Sequence, residues 1–138
     1  MGDREFISAS VWSDYTKMKP LGAGNFASVF LAEHKKNPGM MVAIKTCSSG
    51  DIPKVKVMKK EFTCLDKAQH DHIVDLKGGY DDPTSPNGET SLVLEYAPHG
   101  DLVTFLQSKD HRLTERRVQS IMRQLLHAVG FLHSNGYV

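Results

Sequence analysis

Leu21-Gly22-Ala23-Gly24-Asn25-Phe26-Ala27-Ser28-Val29 and Val42-Ala43-Ile44-Lys45 are the two stretches on which the reading of this chain turns. The first places a glycine turn between two segments of strand character, Tyr15–Leu21 and Ser28–His34, and so predicts a hairpin. Glycine lets a backbone approach phosphate oxygens with no side chain in the way, although an ordinary hairpin turn would use the same residues. A dinucleotide fingerprint is excluded, because a strand follows where a helix would be needed. A Walker loop is excluded as well, because no Gly-Lys-Ser/Thr follows. The second stretch lies in a third strand, Met41–Cys47, after a turn at Lys35-Lys36-Asn37-Pro38-Gly39. Strand alternation puts Ala43 and Lys45 on one face. A small residue beside a lysine leaves room for a flat ring and offers a cation to a phosphate. The plainer alternative is a half-buried strand with an exposed lysine.

Working outward, Ser48–Pro53 is a linker, and Pro53 suits an early helical position. Val55, Met58, Phe62 and Leu65 then recur at spacings of three and four, which predicts a helix with one apolar stripe. Lys54, Lys56, Lys59 and Lys60 flank it as a solvated face, or as a dock for an acidic or phosphorylated segment. Glu61 falls on the apolar stripe, where an unpaired carboxylate would be costly. It therefore calls for a cation, for which Lys45 is the natural candidate, unless it reaches solvent at the stripe's edge. Two more strands are predicted at Ile73–Gly78 and Ser91–Tyr96. The polar loop Asp81–Thr90 between them carries Ser85-Pro86, a weak phosphorylation candidate. Beyond this the pattern is helical. Leu102, Phe105 and Leu106 suit a short helix, and Thr114 is a good N-cap. A long stripe follows through Val118, Ile121, Met122, Leu125, Val129 and Leu132. The order β-β-β-α-β-β and then helices is an α+β plan. Residues 1–13 lack periodicity and read as a loose leader.

Composition bounds the rest. With 138 residues, 40% hydrophobic and 24% charged, the chain suits one soluble domain or most of one. A net charge of +1 gives no reason to expect nucleic acid or a membrane surface as partner. No apolar run is long enough to span a bilayer. The start has no apolar stretch of a secretory signal, and Phe6 stands where a myristoylation motif needs Ser or Thr. Cys47 and Cys64 form no C-x-x-C and are expected as free thiols in a cytoplasmic or nuclear protein. The pairs His70/His72 and His127/His133 do not suit a tetrahedral site, so no metal is expected.

Taken jointly, a glycine-rich hairpin, Val42-Ala43-Ile44-Lys45 on the next strand and an inward Glu61 on the next helix resemble the small lobe of the protein kinase family. His70-Asp71-His72-Ile73-Val74 resembles the family's turn from the C-helix into the fourth strand. Leu92-Val93-Leu94-Glu95-Tyr96-Ala97 is similar to the fifth strand and hinge, and His99-Gly100-Asp101-Leu102 to the start of the next helix. Phe131-Leu132-His133-Ser134-Asn135-Gly136-Tyr137-Val138 is similar to the end of the E-helix. The resemblance covers about residues 15–138. It implies a five-stranded antiparallel sheet with a C-helix, a small lobe over 14–97 and the beginning of a helical lobe over 98–138.

The roles the resemblance implies are these. Leu21, Val29 and Ala43 sandwich an adenine, and the backbone of Gly22, Ala23, Gly24, Asn25, Phe26 and Ala27 covers the phosphates of ATP. Lys45 contacts the α- and β-phosphates and Glu61 orients it. Leu94 takes the gatekeeper position, main-chain groups of Glu95 and Ala97 meet the adenine edge, and Asp101 reaches the ribose. Leu65 and Leu76 belong to a packed spine. Ala27 departs from the family by replacing the third loop glycine, which implies a stiffer loop. In the family a His-Arg-Asp catalytic loop would follow Val138, and the Asp-Phe-Gly metal ligand later still. Neither motif is in these residues. The implied function is the ATP-binding part of a serine/threonine kinase, with Mg2+ and a protein substrate only in a full-length form, and inactive alone. The alternatives are a decoy or scaffold binding nucleotide or a partner, with the Val118–Leu132 face covered by that partner, and an unrelated β-rich interaction domain.

Overall fold

A computed structural model describes residues 4–84, 87–108 and 112–138. The chain divides into two compact units, Met1–Gln69 with Val74–Tyr96, and His70–Ile73 with Ala97–Val138. The first unit is built on five antiparallel strands: β1 (Tyr15–Ala23), β2 (Ser28–His34), β3 (Met41–Ser48), β4 (Leu76–Asp81) and β5 (Glu89–Glu95). Their order across the sheet is β1-β2-β3-β5-β4, so β1 and β4 are the edges. Helix α1 (Ile52–Lys67) joins β3 to β4. Asp51 caps it by accepting from the Lys54 N–H at 3.3 Å, and Pro53 lies in its first turn, where its missing N–H costs nothing.

Strand alternation sends residues of β2, β3 and β5 to opposite faces, and each face has its own core. On one face Ala32, Val42, Ile44 and Val93 are buried with Val11, Tyr15 and Tyr80. On the other, Cys47, Leu76 and Leu92 meet Met58 and Phe62 of α1. The stripe predicted for this helix is thus the surface that it buries. The polar side chains between the sheet strands are satisfied: the Ser91 hydroxyl donates to Thr46 at 3.0 Å, and Thr46 to Glu89 at 3.1 Å.

Three strands differ from expectation by more than one residue at an end. β1 runs on to Ala23 despite Pro20, because an edge strand tolerates proline; its register shifts between Lys17 and Lys19 and between Pro20 and Gly22. β4 starts at Leu76 rather than Ile73, since residues 70–73 close a turn in which the Ile73 N–H donates to the His70 carbonyl at 3.1 Å. β5 starts at Glu89, and Glu95 ends it by exchanging bonds with Asp75.

The expected loose leader is corrected over residues 4–13. Val11–Ser13 form a single 3-10 turn, with Ser10 accepting from the Trp12 N–H at 3.3 Å. Val11 is fully buried, and the Trp12 indole donates to Glu89 at 3.0 Å. The Lys17 ammonium lies over both the Trp12 and Phe30 rings, 4.4 and 4.3 Å from their centroids. A short segment without periodicity can dock through a few anchors, which a search for periodicity does not register.

The second unit holds α2 (Leu102–Gln107) and α3 (Glu115–Ser134). Thr114 caps α3 by accepting from the Arg117 N–H at 3.2 Å, while Glu115 at the start complements its dipole. His70 faces Phe131 at 5.0 Å and His72 stacks on His127 at 6.4 Å. Val118, Met122, Leu125, Leu126 and Val129 of α3 are exposed. Among the described residues no helix is long and apolar enough to cross a membrane. Ser85-Pro86 lies outside the described residues.

Candidate functional site

Register, rather than sequence distance, assembles the site on the first unit. Gly22 lies opposite Val29, Val29 opposite Lys45, and Lys45 opposite Leu92. These four residues form one row across β1, β2, β3 and β5. Gly22 and Lys45 are two strand spacings apart, about 10 Å. The neighbouring row runs Leu31–Ala43–Leu94–Leu76 on the same face. A lysine is thereby flanked by Val29 and Leu92 across the strands and by Ala43 along its own strand.

Helix α1 lies over this face and brings Glu61 to Lys45. The Lys45 ammonium donates to Glu61 Oε2 at 2.8 Å. The two side chains are 26% and 31% exposed. A half-buried pair still in contact with water is worth on the order of 1 kcal/mol, too little by itself to hold a helix in place. Its value is positional: it keeps an ammonium extended over the face while leaving part of it reachable.

The glycine turn is spare of internal contacts. A Cβ added at Gly22 would meet nothing within 4 Å, and one at Gly24 only the Phe26 nitrogen at 4.0 Å. Neither glycine adopts a positive φ. The fold itself therefore does not demand glycine at either place; what these residues provide is open space beside main-chain N–H groups. The Gly24 N–H is engaged with the Ala27 carbonyl at 3.2 Å, which closes the turn. Leu21 and Phe26 are exposed, whereas Ala27 packs towards the α1 core. A glycine backbone on one side and a cation in the same row are the groups that a polyphosphate would need.

The other predicted positions divide between the two units. Leu94 packs at the edge of the α1 core beside Leu76. Glu95 spends its main-chain N–H on the Asp75 carbonyl at 2.9 Å, so a bond from its backbone to an adenine edge would come through its carbonyl. Ala97 and Asp101 belong to the second unit. The Ala97 carbonyl accepts from the Gly100 N–H at 3.3 Å. Asp101 is the N-cap of α2, accepting from the Thr104 N–H at 2.7 Å, and that main-chain bond holds its carboxyl below the usual range. The lysine-rich face of α1 is partly neutralised, with Lys54 on Asp51 at 3.5 Å and Lys59 on Asp81 at 3.1 Å.

Two cavities lie elsewhere on the first unit. One of about 390 Å³ is lined by Phe6, Ser49, Asp81, Asp82 and Thr84, the other of about 380 Å³ by Lys17, Thr46, Asn87 and Glu89. Carboxylates face both, and they would repel a polyphosphate. Among the described residues no group of three or more His, Cys, Asp or Glu converges as metal ligands. Both cysteines are free thiols, and burial pushes the Cys47 thiol up.

Comparison with known proteins shows the family. The protein kinase domain family matches residues 15–138. A calcium/calmodulin-dependent protein kinase type 1 of Caenorhabditis elegans is 34% identical over 132 residues, covering 95% of this chain and 36% of that protein. A maternal embryonic leucine zipper kinase of Xenopus tropicalis is 36% identical over 127 residues, covering 89% and 18%. A serine/threonine-protein kinase ULK3 of Xenopus laevis is 34% identical over 122 residues, covering 87% and 25%. The chain thus spans between 18% and 36% of the length of these curated relatives. The family match takes in all five strands and all three helices, and the chain belongs to the protein kinase family.

Proposed function

We propose that this chain is the ATP-binding part of a serine/threonine-specific protein kinase of the cytoplasm or nucleus. The observation that carries the reading is the Lys45–Glu61 pair at 2.8 Å in the row that begins at the glycine turn. In this reading the backbone of Gly22–Ala27 covers the phosphates and Lys45 contacts the α- and β-phosphates. Leu21, Val29 and Ala43 flank the adenine, beside Leu94 and the main-chain carbonyl of Glu95. The serine/threonine assignment follows relatives whose names carry it.

Phosphoryl transfer is chiefly positioning and charge neutralisation. The 138 residues supply positioning through Lys45 and Glu61 but contain no His-Arg-Asp or Asp-Phe-Gly motif. Asp82 and Asn87 do reproduce the spacing of a catalytic aspartate and its metal-holding asparagine. They lie between β4 and β5, however, and Asp82 accepts from the Thr84 N–H at 2.9 Å and from the Thr84 hydroxyl. We therefore expect these residues alone to bind nucleotide without transferring phosphate, with Mg2+ and a protein substrate engaged only by a longer form. A second reading, a binding decoy or scaffold, draws on the exposed apolar face of α3, which a partner would cover.

Titration of a fluorescent ATP analogue against wild type and Lys45→Met tests the reading. Loss of one charge-assisted phosphate contact predicts binding weakened about tenfold or more. Equal affinity in both would remove the assigned pocket.

A further inference from the structure

The Lys45–Glu61 attraction is too weak to set the rotation of α1, so other contacts must aim Glu61 at Lys45. Three of them come from the N-terminal segment and converge on α1 and β4. Arg4 donates through Nε to Asp66 Oδ1 at 2.5 Å, through its main-chain N–H to Oδ2 at 3.2 Å, and through Nη1 to the Leu76 carbonyl at 2.8 Å. One side chain therefore ties the last turns of α1 to the first residue of β4. The Asp66 side chain is 3% exposed, so Arg4 is what balances its charge.

Phe6 makes the second contact. Its ring centroid is 4.4 Å from that of Phe62, the residue immediately after Glu61. Gly79 creates the space: a Cβ there would lie 2.8 Å from the Phe62 ring and 2.9 Å from the Phe6 ring. Ile7 is the third. Its N–H donates to the Gly79 carbonyl at 2.9 Å and its carbonyl accepts from the Asp81 N–H at 2.9 Å, which extends the sheet at the β4 edge. Lys59 reinforces the junction, 3.1 Å from Asp81 and 5.6 Å from the Phe6 ring centroid.

We propose that Arg4, Phe6 and Ile7 act as a positioning strap, which fixes α1 through Phe62 and Asp66 and so holds Glu61 on Lys45. The strap acts on Lys45 through the helix. Its importance for nucleotide rests on the function proposed above, but its effect on Lys45 does not require nucleotide to be present.

The test uses the full 138-residue chain and a limiting dose of an amine-acetylating reagent, with the labelling of each lysine read by peptide mass spectrometry. Glu61→Gln frees Lys45 and sets the maximum rate. Phe6→Ala should raise Lys45 labelling about three- to tenfold, the scale of a lost contact coupling, with Lys19 and Lys77 unchanged. Added to Glu61→Gln, it should raise Lys45 labelling no further. Ile7→Pro, which deletes the bond to Gly79 at an exposed residue, keeps the test open if Phe6→Ala does not fold, and it should also raise Lys45 labelling. Unchanged Lys45 labelling in either folded variant overturns the strap. An equal rise at Lys19 and Lys77 overturns it too, because the segment then contributes only general stability. A wild-type chain that fails to bind the ATP analogue removes the nucleotide reading while the labelling still judges the strap.

Discussion

Helices α1 and α3 carry the same kind of apolar stripe and meet opposite fates. In α1, Met58 is 0% and Phe62 4% exposed, enclosed by the sheet and by Phe6. In α3, Leu125 is 53% and Leu126 61% exposed. Periodicity says that a helix has an apolar face; it does not say what covers that face. The covered helix has a fixed rotation and can therefore present Glu61 to Lys45. The uncovered one has apolar surface available to further chain or to a partner.

Substitution of one apolar residue in each helix should give unequal costs. Met58→Ala should cost about 2–5 kcal/mol, the loss of a buried side chain plus the cavity left behind. Chemical unfolding followed by circular dichroism would measure it. Acid sharpens the comparison at the next level. Hydrogen bonding from Arg4 holds the Asp66 carboxyl below the usual range. A carboxyl with a lowered folded-state pKa contributes stability that is complete above the ordinary aspartate value, about 4, and is lost as pH falls through the folded-state value. Asp66→Asn should therefore destabilise the chain by about 1–3 kcal/mol at pH 7. That gap should narrow steadily below about pH 4. The smallest effect is expected on α3, where Leu126→Gln should change stability by no more than about 0.5 kcal/mol. A large loss there would mean that α3 is covered after all.

Much of the architecture was legible because it follows from short-range rules. The glycine turn between Leu21 and Ser28, the alternation of Val42 and Ile44 with Ala43 and Lys45, and the stripe of α1 each announce themselves within a few residues. Asp51 and Thr114 announce their helices by capping chemistry. The expected pairing of Glu61 with Lys45 was also accessible, because a carboxylate on an apolar stripe demands a cation. The docking of residues 4–13 was not. Arg4 meets Asp66 sixty-two positions away and Ile7 bonds to β4, contacts that no local pattern encodes. The one available signal was Asp66 itself, a second carboxylate lying four residues beyond Phe62 and in need of a partner. The start of β4 differs for a related reason: Ile73 has strand character, but the turn that it closes on His70 takes it first.

The central claim is that a polyphosphate lies along the row from the glycine turn to Lys45. Amide chemical shifts recorded by two-dimensional NMR during an ATP titration address it most directly. The account predicts the largest changes at Gly22–Ala27 and around Lys45, with residues 49, 50, 81 and 82 at the cavity beside Phe6 unmoved. Changes centred on that cavity, with the glycine turn silent, would contradict it.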